Sequence, residues 1–126
     1  MNVFTTHSAE SVNFEYYASA DLANIGASSY FNAGFRPKGV IINAVLLNGT
    51  AESRGMYAQN NSQSTLYRQQ GGTFTAISTG AIRLEVDAAN YIVGAITVDD
   101  TGFTINWTKT GSPTGYILFN FIAMTH

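Results

Sequence analysis

Two stretches of this chain, residues 39–47 and 115–124, are apolar at successive positions. Successive side chains of an extended strand point to opposite faces of a sheet. In the second stretch, one face would carry Tyr116, Leu118, Ile122 and Met124, and the other Ile117, Phe119, Phe121 and Ala123. A strand that is apolar on both faces needs cover on both. The domain's own core covers one face, and a second surface must cover the other.

The rest of the chain is typical of short strands separated by turns. In residues 102–108, Phe103, Ile105 and Trp107 alternate with polar residues, and Asn48-Gly49 is a strong hairpin signal. Turn signals recur at roughly 8–12 residues, and no window has a sustained apolar period of 3.6. We therefore predict eight to ten strands in an antiparallel β-sandwich, jelly-roll-like, within an all-β single domain.

The chain length fits one domain. A chain of 126 residues is long enough to bury a core without disulfide bonds, and it contains no cysteine for either disulfides or thiolate catalysis. Residues 1–10 are mixed and polar, and we predict an N-terminal arm that orders on a partner or pairs with a sheet edge; a frayed terminus is the alternative. Residues 11–126 form the predicted β-sandwich domain.

The charge content is low. Only 11% of the residues are charged, against about 25% in most soluble domains, and this suits a protein that is packed in an assembly. The net charge is −2, and the six basic residues are scattered: Arg36, Lys38, Arg54, Arg68, Arg83 and Lys109. Without a basic stripe, nucleic acid is not an expected partner.

Neither export nor membrane insertion is expected. Glu10 and Glu15 lie where a signal peptide would need an apolar core. The longest apolar run is about half of the ~20 residues that a membrane helix requires. We expect a protein that is made in, and released from, a cytoplasm.

The triplet Asp100-Thr101-Gly102 matches the active-site sequence of aspartic proteases. A dimer of such chains would bring two aspartates together to share a proton. Here, however, the triplet lies between two alternating segments, where Asp and Gly are common turn residues. We interpret it as a turn and predict that the protein is not an enzyme; a dimeric protease acting through Asp100 is the alternative.

No metal or cofactor site is predicted. His7 and His126 lie at opposite ends of the sequence, and neither has a carboxylate cluster at zinc-binding spacing. Asp87, Asp99 and Asp100 lack the D-x-D-x-D-G pattern of a calcium loop, and we interpret them as solvated turn residues.

One region is rich in tyrosines and amides. Its candidate binding residues are Tyr57, Asn60, Asn61, Gln63, Tyr67 and Gln69. Tyrosine rings and amides bind carbohydrates and flat protein surfaces, because they combine apolar area with uncharged hydrogen bonding. The alternative is the polar outer face of a sandwich.

Three motifs carry a family resemblance. They are G-F-R-P-K-G-V-I-I at residues 34–42, G-F-T-I-N-W at residues 102–107 and Y-I-L-F-N-F-I-A at residues 116–123. Across about residues 34–124, the chain resembles small β-sandwich virion proteins of tailed bacteriophages. Those proteins share a G-F-x-P-x-x-V-I strand, a D-G-F-T-x-N-W strand and an aromatic-aliphatic last strand. Here Thr101 interrupts the usual Asp-Gly-Phe turn, and residues 123–126 replace a glycine-rich ending.

The resemblance implies a structural protein of the virion. Its members include capsid decoration (cement) proteins, and by that resemblance we expect a homotrimer that clamps neighbouring major capsid protein subunits. The face that carries Val40, Ile42, Phe119 and Phe121, or its opposite, would be the oligomer interface. The alternative is a tail- or fibre-associated module that binds a receptor or a host-surface glycan.

Overall fold

A computed structural model describes residues 13–60, 62–69 and 71–125, and over these ranges the chain forms ten β-strands and no helix. The strands are β1 (Asn13–Asp21), β2 (Ser28–Asn32), β3 (Gly39–Leu46), β4 (Glu52–Ala58), β5 (Ser62–Arg68), β6 (Phe74–Ile77), β7 (Ile82–Asp87), β8 (Asn90–Val98), β9 (Gly102–Thr110) and β10 (Tyr116–Met124). No helix capable of crossing a membrane is found in this part of the chain. The predicted N-terminal arm, residues 1–10, lies outside the described residues.

The strands form two antiparallel sheets that pack against each other, which confirms the predicted single-domain β-sandwich. The six-stranded sheet has the order β1-β10-β3-β4-β5-β6, and the four-stranded sheet has the order β2-β9-β8-β7. The first two strands therefore pair with the last two, β1 with β10 in one sheet and β2 with β9 in the other. This arrangement joins the two ends of the domain.

An aromatic cluster joins the two sheets. The rings of Phe103 on β9 and Phe121 on β10 meet edge to face, with centroids 4.7 Å apart, and Phe31 on β2 lies 5.0 Å from Phe121. The ring centroids of Trp107 and Phe119 lie 6.3 Å apart, and the indole N–H of Trp107 donates to the Ser29 hydroxyl at 2.9 Å. Such ring pairs add about 0.5–1.5 kcal/mol each beyond the burial of area.

Next to β7, the inner face of the six-stranded sheet carries small residues. A Cβ at Gly55 on β4 would lie 1.6 Å from the carbonyl oxygen of Ala81, next to β7. Beside Gly55, the buried hydroxyls of Ser53 and Thr65 share a hydrogen bond of 3.0 Å. The backbone N–H of Arg83 donates to Ser53 Oγ, also at 3.0 Å. The polar atoms inside this half of the sandwich are therefore paired with each other and with β7.

The predicted hairpin at Asn48-Gly49 joins β3 to β4. Asn48 takes a φ of 62°, in the left-handed region that asparagine tolerates better than most residues. The Gly49 N–H donates to the Leu46 carbonyl at 3.1 Å and closes the turn.

Candidate functional site

The outer face of the six-stranded sheet carries most of the exposed large apolar side chains of the described residues. Nine large apolar side chains among the described residues are at least 36% exposed, and eight of them lie on or beside this face. These eight are Ile41, Val45, Leu47, Met56, Leu66, Phe74, Tyr116 and Ile122. Apolar residues scattered singly on a surface are ordinary, whereas a contiguous patch marks an interaction site.

Strands β3 and β10 lie side by side and form the centre of this patch. From one end to the other, the outward-facing pairs are Tyr116 with Leu47, Leu118 with Val45, Asn120 with Asn43, Ile122 with Ile41, and Met124 with Gly39. We call these five levels the β3–β10 band. At the fifth level, Met124 Cε lies 3.3 Å from where a Cβ of Gly39 would be, so the methionine covers the glycine. The band is apolar at every level except the middle one.

The middle level consists of two asparagines. Asn43 Nδ2 donates to Asn120 Oδ1 at 3.5 Å, a long hydrogen bond, and both side chains are exposed. An asparagine amide has two N–H donors and a carbonyl acceptor, so this single bond leaves most of the pair's capacity unused. The pair is a polar interruption at the centre of an apolar band.

A charged strip borders the band. Glu52 lies opposite Val45 in the pairing of β3 with β4. Its carboxylate forms ion pairs with Arg54 at 3.5 Å and with Arg68 at 3.4 Å. Each guanidinium carbon lies 5.6 Å from the centre of the Phe74 ring. The strip gives the outer face local charge, and exposed ion pairs of this kind add only about 0–1 kcal/mol.

The structure excludes one of the two faces that were predicted as the oligomer interface. Val40, Ile42, Phe119 and Phe121 are at most 4% exposed and belong to the hydrophobic core. Because the four-stranded sheet covers them within one molecule, they cannot contact a second copy in this fold. The surface open to another molecule is the opposite face, which carries the β3–β10 band.

The predicted binding residues Tyr57, Asn60, Asn61, Gln63, Tyr67 and Gln69 do not form one surface. Tyr57 and Tyr67 are 4% and 8% exposed, because they lie on the inner face of β4 and β5. The amide of Gln63 is bonded to the backbone of Ile96, and Asn61 lies outside the described residues. The prediction that these tyrosines form an exposed binding face was wrong.

The remaining candidates fall in two separate grooves. One groove, with a volume of about 610 Å³, lies at the end of the β4–β5 hairpin and is bordered by Arg36, Lys38, Tyr57, Gln59, Asn60 and Thr97. We call it the hairpin-end groove. A second, smaller groove is bordered by Tyr67, Gln69 and Glu85. The two sets of predicted residues therefore cannot bind one small ligand together.

Beside the second groove, Arg83 is surrounded by Glu85, Tyr67 and Tyr91. We call these four residues the arginine cluster, which was not predicted from the sequence. Arg83 Nε and Nη2 donate to Glu85 Oε2 at 3.0 and 2.6 Å, and Glu85 is almost fully buried. The guanidinium carbon lies 4.0 Å from the centre of the Tyr91 ring and 4.8 Å from that of Tyr67. The Arg-x-Glu spacing on β7 was the available signal, because it places both residues on one face of a strand.

The Asp100-Thr101-Gly102 triplet lies at the turn between β8 and β9, and Gly102 is the first residue of β9. The Asp99 carboxylate accepts the N–H groups of Thr101 and Gly102, both at 2.9 Å, and the Asp99 N–H donates to the Gly102 carbonyl. The hydrogen bond from the Thr101 N–H is the main cause that lowers the pKa of Asp99. Asp100 itself is exposed and forms an ion pair with Arg36 at 3.1 Å. The triplet has the geometry of a surface turn, as the sequence predicts.

Within residues 13–60, 62–69 and 71–125, no three His, Cys, Asp or Glu side chains are grouped so that they could hold a metal ion. His7 and His126 lie outside these ranges.

Comparisons of the chain with protein-family models, with curated proteins and with solved structures found no match. The resemblance to phage virion proteins therefore rests on the sequence motifs alone. Two of the three motifs, at residues 34–42 and 116–123, cover the first half of β3 and all of β10 except its last residue. The residues behind the resemblance thus include parts of both strands of the apolar band.

Proposed function

We propose that this protein is a structural protein of a bacteriophage virion and that it forms oligomers through the outer face of its six-stranded sheet. The observation that supports this most directly is that, among the described residues, eight of the nine exposed large apolar side chains lie on or beside that one face. The largest apolar patch of a typical monomer covers about 300–600 Å², and patches of that size or larger are often functional.

The energetics favour covering this face. Its eight large side chains are each 36–58% exposed, and transfer of apolar surface from water contributes about 25 cal/mol per Å². A stable interface buries about 800 Å² per partner, and association must first offset the lost rotational and translational freedom. With only 11% charged residues, the chain has little charge to keep such a face dispersed in water.

The sequence resemblance supports a specific role. Capsid decoration proteins of this type bind as trimers at threefold positions and clamp neighbouring major capsid protein subunits. Three copies that turn their outer faces toward a common axis would cover the β3–β10 band. The ends of the sandwich and the four-stranded sheet would then be available to the capsid.

A charge placed on the outer face tests self-association. Ile41 is 43% exposed, so Ile41→Glu should fold normally, yet it should abolish the oligomer, because the carboxylate would be desolvated on association. Thr108→Glu, on the exposed face of the four-stranded sheet, is the matched control and should keep the wild-type mass. Sedimentation velocity measures the mass, and circular dichroism confirms folding. A monomeric wild-type protein at micromolar concentration would contradict self-association.

The location in the virion needs a separate experiment. Mass spectrometry and cryo-electron microscopy of purified phage particles should find the protein on the shell at threefold positions. Density on the tail alone would replace the capsid role with the tail role. Absence of the protein from the particles would overturn the virion proposal.

The hairpin-end groove favours a second candidate, a tail- or fibre-associated module that binds a host-surface glycan. Its volume of about 610 Å³ falls within the usual range for ligand sites, and its border includes Arg36, Lys38 and the amides of Gln59 and Asn60. These groups suit sugar hydroxyls and carboxylates. A glycan array should then give binding that Lys38→Ala and Gln59→Ala reduce. An array and a host-cell adsorption assay that both stay blank would remove this candidate.

A further inference from the structure

We infer that Asn43 and Asn120 set the register in which copies of this chain pack, so that the asparagine level of one β3–β10 band lies against the asparagine level of the next. The inference rests on the proposed self-association and adds the identity and alignment of the partner surface. Its basis is the position of the polar pair at the centre of the band, with two apolar levels on each side.

Symmetry makes this arrangement self-complementary. A rotation axis parallel to the strands brings each level of one band against the same level of the next. A twofold axis perpendicular to the strands, through the middle of the band, reverses the order of the levels. The asparagine level meets its own kind under both operations, since the parallel axis matches every level with itself and the reversing axis leaves the third of five levels in place. Each asparagine keeps at least one N–H donor and an acceptor lone pair outside the bond between them, so two such levels can bond to each other.

A slip in register is costly. A shift by one level moves the bands by two residues, or roughly 6.8 Å, and brings the asparagines against Leu118 and Val45. The amides would then be buried without partners, and each unsatisfied polar group costs about 1–3 kcal/mol. A single buried asparagine fixes register and oligomer state in coiled coils in the same way, at some cost in stability.

This pattern favours a second copy over an unrelated partner. An unrelated surface would need its own polar row at the matching height between apolar rows, whereas a second copy necessarily has one. The polar row also continues onto β4, where Arg54 pairs with Asn43. Five levels along the band, with apolar Met56 beside Ile41, give a surface long enough to distinguish one alignment from its neighbours.

Cross-linking can report the register directly, because the chain contains no cysteine. Val45→Cys and Ile41→Cys mark the second and fourth levels, and copies carrying either one are mixed and treated with a short bismaleimide. In the wild-type background, either the like pairs (45–45 and 41–41) or the unlike pair (45–41) should form, and not both. In the Asn43→Val/Asn120→Val background, both kinds should form, and the dissociation constant should fall tenfold or more.

The controls separate this inference from the proposed function. Thr108→Val/Thr110→Val adds similar apolar surface to the four-stranded sheet and should leave the cross-linking pattern unchanged. If the asparagine-free protein keeps the single wild-type pattern and mass, the register inference is overturned, while self-association through the outer face stands. If the wild-type protein is monomeric, self-association fails and the register inference fails with it.

Discussion

The side-chain amide of Gln63 on β5 pairs with both backbone groups of Ile96 on β8. Gln63 Nε2 donates to the Ile96 carbonyl, and the Ile96 N–H donates to Gln63 Oε1, both at 2.8 Å. Strand β7 pairs with β8 only as far as Gly94, so the amide occupies the next place at that edge of the sheet. One glutamine of the six-stranded sheet thus completes the hydrogen bonding of the four-stranded sheet.

Loss of this amide should destabilise the sandwich. Gln63→Ala leaves the N–H and carbonyl of Ile96 without partners, and each buried unsatisfied group costs about 1–3 kcal/mol. We expect the free energy of unfolding, measured by urea denaturation, to fall by about 2 kcal/mol. Ser64→Ala, at the exposed neighbouring position on β5, is the control and should change stability by less than about 0.5 kcal/mol. Equal stability of the two variants would contradict the role of the amide.

Gln63→Glu provides a pH-dependent version of the same test. At neutral pH, the carboxylate cannot donate to the Ile96 carbonyl, so the variant should be less stable than the wild type. Below the ordinary glutamate pKa of about 4.3, the protonated acid regains one donor and keeps one acceptor. The difference in urea midpoint between variant and wild type should therefore shrink in acid. A difference that stays constant with pH would contradict this account.

Much of the fold could be predicted from the sequence, because alternation and turn residues locate strands well. The predicted segments at residues 39–47 and 115–124 match β3 and β10 to within one residue. The sequence does not indicate which face of β3 and β10 turns inward, since apolar residues lie on both faces. Residues on neighbouring strands decide it: Gly55, opposite Ile42, is small enough to let β7 approach.

The candidate binding residues failed for a related reason. Strands β4 and β5 look polar because Ser53 and Thr65 are hydrophilic, yet both are buried and bonded to each other. Tyr57 and Tyr67 share that inner face. A sequence cannot distinguish a polar residue exposed to water from one whose partner lies on a distant strand.

Gly55 should be intolerant of any side chain. The Cβ of Gly55→Ala would lie 1.6 Å from the Ala81 carbonyl oxygen, which belongs to backbone and cannot move without separating the sheets. We expect a loss of at least about 3 kcal/mol in the free energy of unfolding. Gly39→Ala is the matched control, because its nearest neighbour is the flexible end of Met124 at 3.3 Å, and it should cost far less. Similar losses for both alanines would contradict the close approach of the sheets.

The arginine cluster should depend on both of its charges. Arg83→Met removes the partner of the nearly buried Glu85 carboxylate, and breaking a buried pair in this way costs about 3–5 kcal/mol. Arg83→Met/Glu85→Gln removes both charges and should recover a large part of that loss. Urea denaturation of the two variants and of Glu85→Gln completes a double-mutant cycle. Additive effects would show that the two side chains do not interact energetically.

The turn at Asp99 should make stability depend on acid pH. Hydrogen bonds, first from the Thr101 N–H, hold the pKa of Asp99 below its ordinary value of 3.8. A carboxyl whose pKa is lower in the folded state stabilises the fold above its unfolded pKa, and this contribution is lost as the pH falls through the folded pKa. The urea midpoint should therefore drop below about pH 4, and Asp99→Asn should show a smaller drop. Asp87, whose pKa is lowered mainly by the Ala89 N–H, should behave alike, so Asp87→Asn/Asp99→Asn should flatten the acid region further. A wild-type pH dependence in the double variant would mean that the hydrogen bonds to these two carboxylates do not contribute to folding.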